Sequence, residues 1–363
     1  MSITPSTLAM ASPEVVDLAG DDDDNARAVF FESQEYFARS NTWECEKMLG
    51  SGAYGAAILV KERNAKQGHW RRVVLKRALR AGIDELKTEI ATLQLLRGNA
   101  HFATMLACCE DLTEFANPTI TGTGLRTIFA SLRGLRGPAL VLEYFQNGTL
   151  DSLKEKAKLQ GIELSNGLLW QFYLCLVRAC IGLGYPPNGP EDVTPTLEEI
   201  PHGEPPRDLI HGDIAGRNIV IGDTNPDVAE HSSIPILKMI DLGSSRDSDN
   251  AGKGPEENLH AVAIEMLRLI CRGPVRTRVP RFATAFNGVE TAATDILPVN
   301  GMPKFPHLDI RLRDLLVQAL RTDRDRRPTL VDMLTYTRNE ANRNSPNAPY
   351  LDRPIIQRLI YDV

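Results

Sequence analysis

Two groups of residues in this chain have types and spacings that suit phosphate chemistry. Leu49-Gly50-Ser51-Gly52-Ala53-Tyr54-Gly55 is a G-x-G-x-x-G loop. Glycines at Gly50, Gly52 and Gly55 let backbone N–H groups lie close over phosphate oxygens, an approach any Cβ would obstruct. A dinucleotide fold needs that loop to run from a strand into a helix, whereas here β-type sequence lies on both sides, which predicts a hairpin lid. Val73-Val74-Leu75-Lys76 then ends an apolar strand on a lysine, where a lone charge is costly without an anion. The following helix offers Glu85 and Glu89. Glu89 shares a face with Leu86, Ile90 and Leu93 and so points inward, which predicts a Lys76–Glu89 pair with the lysine gripping nucleotide phosphates.

Further along come Leu209-Ile210-His211-Gly212-Asp213-Ile214-Ala215-Gly216-Arg217-Asn218 and then Ile240-Asp241-Leu242-Gly243. The order of Gly-rich loop, strand lysine, helix glutamate, H-x-D-x-x-x-x-N and D-x-G resembles the eukaryotic protein kinase superfamily over roughly residues 43 to 340. The resemblance implies an α+β, bilobal protein-kinase-like fold, with a β-rich N-lobe (43–147) and a helical C-lobe (148–340), ATP and Mg²⁺ bound between them. It implies transfer of the γ-phosphate to a hydroxyl of a protein substrate, of the Ser/Thr class. Asp213 would orient the accepting hydroxyl, and Asn218 and Asp241 would hold magnesium. Val141-Leu142-Glu143-Tyr144-Phe145 would be the hinge that receives adenine, with Glu143 and Phe145 contributing main-chain groups. Arg217 falls where tyrosine kinases place an arginine near the transferred phosphate, and Arg326-Arg327-Pro328-Thr329 resembles the closing arginine motif.

The chain departs from that pattern in instructive places. Gly212 stands where most kinases carry Arg, which removes the cation that pairs with a phosphorylated activation loop. Ala215 replaces the lysine typical of Ser/Thr kinases, and Leu242 replaces Phe. The run from Asp241 to Asn258, where the central helix is expected to start, is short for an activation loop and peptide-docking segment. Gly254-Pro255-Glu256 resembles a remnant of A-P-E, with Glu256 or Glu257 as the partner of Arg327. Two alternatives stand beside the protein kinase: a small-molecule phosphotransferase of the aminoglycoside or choline kinase type, and a nucleotide-binding pseudokinase scaffold.

The elements that must position these groups follow from periodicity. Strands are expected near 44–49, 56–61, 70–77, 105–110 and 139–144, with a helix at 84–97. Residues 168–183 are apolar nearly all round, as in a helix buried at the centre of a larger unit. Strands near 219–221 and 237–240 and helices near 259–271, 312–321 and 330–338 complete the unit, followed by a C-terminal tail (341–363). Leu112 to Pro138 reads as an insertion and Pro186 to Arg207 as an exposed loop. Residues 1–40, with Asp21-Asp22-Asp23-Asp24, read as a disordered acidic arm. Within it Val15, Val16 and Leu18 followed by Asp21 to Asp24 resemble a SUMO-interaction motif, in which a short segment adds to a sheet edge; a solvated acidic tail is the plainer reading.

Composition bounds the rest. At 363 residues, 42% hydrophobic and 24% charged, with 41 basic against 47 acidic residues and a net charge of −6, the chain is globular and gives no sign of bulk nucleic-acid binding. Its six cysteines show neither CxxC pairs nor His-rich spacing, arguing against a zinc site or a disulfide framework. His101, His202, His231 and His260 likewise read as surface or packing residues. No apolar run of membrane-spanning length and no basic-then-apolar leader stands out, so a cytoplasmic or nuclear location is expected.

Overall fold

The computed structural model of the chain describes residues 18–52, 54–63, 71–109, 119–120, 138–275, 284–344 and 348–361, and its fold is mixed α+β. Helix α1 (Leu18–Ala38) leads into β1 (Trp43–Ser51), β2 (Gly55–Glu62), β3 (Arg72–Ala78), β4 (Met105–Cys109), β5 (Thr119–Ile120) and β6 (Ala139–Glu143). These form an antiparallel sheet in the order β1-β2-β3-β6-β4-β5, with helix α2 (Ile83–Leu95) inserted between β3 and β4. The remainder is mostly helical: α3 (Leu150–Leu159), α4 (Asn166–Gly184), α5 (Gly254–Cys271), α6 (Ile310–Ala319), α7 (Leu330–Asn344) and α8 (Ala348–Leu359). Short antiparallel ladders join β7 (Leu209–Ile210) to β10 (Arg246–Asp247), β8 (Ile219–Ile221) to β9 (Leu237–Met239) and β11 (Thr284–Phe286) to β12 (Val289–Thr291).

Strand alternation sorts the sheet's two faces. Val73 and Leu75 of β3 cluster with Ile58, Val60, Ala139 and Val141 on one face, against Phe37 and Trp43. Val74 and Ala78 belong with Leu140 and Leu142 to the other, which packs on Leu86, Ile90 and Leu93 of α2. Lys76 has the parity of this second face and pairs in register with Leu140. The lysine is therefore aimed at α2 by the same pleat that buries its neighbours.

Helix α4 is buried all round, and Ser165 caps it by accepting from Leu168 N–H at 3.1 Å. At 19 residues it is long and apolar enough to match a membrane span, contrary to the expectation that no apolar run has that length, but 94% of its most apolar stretch is buried inside the protein, as expected of the central helix at 168–183. Helix α3 starts on a reciprocal cap in which Thr149 and Ser152 each bond the other's backbone N–H.

Three sequence expectations change. Residues 18–38 of the expected disordered arm form α1, whose Ala26, Phe30, Ser33 and Phe37 recur at helical spacing and lie against the sheet. The acidic run sits near the helix N-terminus, where the backbone dipole favours carboxylates, so it marks a helix start. Leu18 and Asp21 to Asp24 thus have helical backbone, whereas addition to a sheet edge needs an extended one; Val15 and Val16 lie outside the described residues. The 341–363 tail is also structured: α7 runs on to Asn344, and Ile356, Leu359 and Ile360 of the α8 region are buried in the main core. Third, the 186–207 loop has no helix or long strand, yet it is pinned to the turn after α2 and buries Glu198. Of the 112–138 insertion, Thr119–Ile120 forms the edge strand β5 and nearly all the rest lies outside the described residues.

Because Phe37 is fully buried against the sheet while its helix neighbour Phe31 is 61% exposed, the two substitutions separate docking from helix propensity. Phe37→Ala is expected to lower unfolding free energy by about 3–5 kcal/mol and Phe31→Ala to leave it within about 0.5 kcal/mol, read by urea titration.

Candidate active site

Lys76, on β3, reaches two carboxylates that are far apart in sequence. Its ammonium lies 2.5 Å from Glu89 Oε2 on α2 and 2.5 Å from Asp241 Oδ1 on the turn after β9. The predicted Lys76–Glu89 pair is therefore present, and Asp241 joins it. Glu89 is buried and also accepts from the Leu242 backbone N–H, while Asp241 keeps 44% of its side chain exposed. Burial disfavours the charged lysine, but Glu89 and Asp241 outweigh it and hold Lys76 above its ordinary value. Burial also works against ionised Asp241, and Lys76 reverses that, placing the carboxyl below the usual range. Glu89 stays above the usual range, because its burial and the neighbouring Asp241 charge exceed the pull of Lys76. One cation between two carboxylates leaves excess negative charge at this point.

The segment between β7 and β8 brings the remaining polar groups alongside. Asp213 and Asn218 are linked: Asn218 Nδ2 donates to the Asp213 carbonyl at 3.0 Å and to its Oδ2 at 2.9 Å. Arg217, 62% exposed, donates to both Asp213 oxygens at 2.7 and 2.6 Å. His211 is buried, its Nε2 3.1 Å from the Ile240 carbonyl and its Nδ1 accepting from Asp213 N–H at 3.3 Å. Burial keeps its ring below the ordinary histidine range, consistent with a residue that holds the loop in shape. Asn258 of α5 completes the frame, donating to the Leu209 carbonyl at 2.9 Å and accepting from His211 N–H at 3.1 Å. The sequence reading used Asn258 only to mark a helix start.

Two residues of the site have left-handed backbone. Asp241 adopts φ +65°, a left-handed conformation rare for a residue with a side chain. Gly212 has φ +81°, and a Cβ there would lie 2.2 Å from the Ser244 carbonyl oxygen. The glycine that departs from the kinase pattern is thus demanded by close contact between this loop and the turn after Asp241.

Gly52, Gly55, Lys76, Glu85, Glu89, Asp213, Asp241 and Ser244 line one open cleft. Glu85 contributes a buried Oε2 with no hydrogen-bond partner. The glycine loop closes one end: Gly52 N–H donates to Gly55 O at 3.0 Å, and Leu79 N–H to Tyr54 O at 3.0 Å. A Cβ on Gly82 would sit 1.7 Å from that Tyr54 oxygen, so Gly82 is what lets the loop settle there. Sequence spacing gave no sign of it.

Glu143 and Phe145 do not line this cleft. The Glu143 carboxylate accepts from Thr104 N–H at 2.7 Å and from Lys238 Nζ at 2.7 Å, and Lys238 also lies 5.4 Å from the Phe145 ring centroid. The Glu143 side chain is therefore spent on bracing the end of β6.

Helix α5 begins at Gly254, four positions earlier than expected, so only residues 242–253 separate Asp241 from it. This segment is stitched down by β10 pairing with β7 and by Asp208, whose carboxylate accepts from Gly252 N–H at 2.7 Å and Gly254 N–H at 3.1 Å. Glu256 takes Arg327 and Arg324, while Glu257 accepts from Ser248 at 2.8 Å, which resolves the choice between the two glutamates. No protein-family model matches this chain, and no curated protein is significantly similar to it.

Gly212→Ala forces a side chain into left-handed backbone and against the Ser244 oxygen, and is expected to cost at least about 1–3 kcal/mol. A Cβ on Gly52 meets nothing within 4 Å, so Gly52→Ala is expected to leave stability within about 0.5 kcal/mol. Denaturant unfolding of both variants checks the contrast.

Proposed function

We propose that the chain is an ATP- and Mg²⁺-dependent phosphotransferase with a bilobal, protein-kinase-like fold, acting on a hydroxyl of a protein substrate. The observation that carries the reading is Lys76 bridging Glu89 and Asp241 at the base of the cleft that Asp213 also lines. Each residue comes from a different part of the chain.

The donor set fits the nucleotide and its metal. Two of the three ammonium donors of Lys76 are used by carboxylates, leaving one for a phosphate oxygen. Among the described residues, a Cβ at Gly50 or Gly52 would meet no atom within 4 Å, and close backbone approach to phosphates would supply a reason for glycine there. Asp241 and the Oδ1 of Asn218 are hard oxygen donors of the kind magnesium takes, and excess negative charge beside Lys76 suits a divalent cation. The metal would neutralise charge on the phosphates.

Asp213 would orient the acceptor hydroxyl and accept its proton as the oxygen attacks the γ-phosphorus and the bond to the leaving diphosphate breaks. Arg217 Nη2, donating to both oxygens of the Asp213 carboxylate, holds it in place. Asn218 Nδ2 holds the same carboxylate, and its Oδ1 would be left for the metal. Gly52 and Gly55 would cover the phosphates and limit water.

One observation favours a second acceptor class. Residues 242–253 are few and tied to Asp208 and β7, leaving little platform for an extended peptide, and a small-molecule hydroxyl needs none. Incubation with γ-labelled ATP, Mg²⁺ and a cell extract, with label sorted by molecular size, distinguishes the two. Label on protein is expected, and label confined to small metabolites would move the acceptor to that class. Asp241→Asn and Asp213→Asn are each expected to reduce transfer by about 10²-fold or more with an unchanged unfolding midpoint. Transfer equal to wild type in both variants would refute the assignment.

A further inference from the structure

Behind α2, away from the cleft, the 186–207 segment straps the turn that follows the helix. Asn188 N–H donates to Leu95 O at 2.9 Å, Gly189 N–H to Arg97 O at 3.0 Å, Thr196 N–H to Gly98 O at 2.9 Å, and Ala100 N–H to Thr196 O at 3.0 Å. The strap carries Glu198 inward, where its carboxylate accepts from His101 N–H at 2.8 Å and lies 2.5 Å from His101 Nδ1. Arg178 of α4 holds the Glu198 carbonyl and pairs with Glu230 at 2.5 Å. The His101 ring is thereby fixed with its far edge toward the interior.

There it meets two groups from other elements. The His231 ring lies edge-on with its centroid 5.2 Å away, and Cys175 comes from α4. His101, Cys175 and His231 are 0%, 2% and 3% exposed, and one nitrogen or sulfur atom from each lies within 4.8 Å of the others. Among the described residues, His101 Nε2 and both ring nitrogens of His231 make no hydrogen bond of ordinary distance and angle, with Cys175 a polar neighbour of His101 and the Ile234 backbone one of His231. Burying such groups without well-formed hydrogen bonds is costly, and two imidazoles and a thiol share the same small volume.

We propose that His101, Cys175 and His231 form a binding site for a zinc-class divalent cation. Two imidazoles and one thiolate are a donor set that zinc takes in tetrahedral geometry, with a water in the fourth position. Metal–ligand bonds of about 2.0–2.3 Å place such donors roughly 3.3–3.8 Å apart, so the three, which lie within 4.8 Å of one another, would draw together on binding. Glu198 on His101 Nδ1 is the carboxylate–histidine arrangement that fixes a ligand's tautomer and leaves Nε2 for the metal. Charges balance as well. A divalent ion offsets the Cys175 thiolate and the Glu198 carboxylate, while Arg178 is matched by Glu230. The ion would clamp the turn after α2 to α4 and to the 229–231 turn. Spacing along the chain hides the site, because each residue comes from a separate segment.

The full-length protein, purified after growth with added zinc, tests this by elemental analysis. One zinc per chain is expected for wild type and close to none for Cys175→Ser and His231→Gln. Replacement with Co²⁺ is expected to give a thiolate-to-cobalt charge-transfer band that Cys175→Ser lacks, and chelation to lower the wild-type unfolding midpoint to that of the variants. Their circular dichroism, matched to that of the chelated wild type, controls for misfolding. A wild-type zinc content equal to that of both variants, with no cobalt–thiolate band, would overturn the proposal.

Discussion

A single ammonium group shared between two carboxylates ties three parts of this molecule together. Lys76 lies on β3, Glu89 on helix α2 packed across that strand's face, and Asp241 on the turn after the β8–β9 ladder, in the helical part. Removing Lys76 from its pair with Glu89 costs about 3–5 kcal/mol, because the buried carboxylate is left behind without its cation. The position of α2, the left-handed backbone at Asp241 and the open cleft between them therefore depend on one another. Shifting any of these would leave Glu89 buried without its cation.

The same dependence extends into the loop that carries Asp213. Ser244 presses on Gly212 so closely that only glycine fits, and Asn258 grips the same loop from α5 through His211 and Leu209. Asp208 ties the following segment back to the start of the loop. The proposed acceptor-orienting carboxylate is thus set by contacts from both sides. This rigidity is what a reaction dominated by positioning and charge neutralisation requires.

Much of this was legible from local pattern. Period-two burial in β3 and the Glu89 position on the α2 stripe are strong, short-range signals, and they led to the Lys76–Glu89 pair. Asp213 and Asn218 were marked by spacing within one segment, and their hydrogen bonds are likewise local. What stayed hidden depends on distant parts of the chain meeting. Gly82 matters because Tyr54 lands on it, Gly212 because Ser244 does, and Asn258 because a helix begins beside the loop. Helix α1 was concealed for another reason: four consecutive aspartates dominated its composition, although Phe30, Ser33 and Phe37 repeat at helical spacing. Strap 186–207 has the composition of an exposed loop, and only its tertiary hydrogen bonds show why Glu198 is buried.

The claim at the centre of this account is that the Lys76, Glu89 and Asp241 cluster is built to receive a magnesium-bound nucleotide. Titration calorimetry of the full-length protein with ATP, in the presence and absence of Mg²⁺, tests it without reference to any acceptor. The account predicts binding that Mg²⁺ strengthens, with Asp241→Asn removing the metal dependence and Lys76→Met weakening binding under both conditions. Absence of ATP binding to the folded wild-type chain, or binding indifferent to Mg²⁺ and to both substitutions, would contradict it.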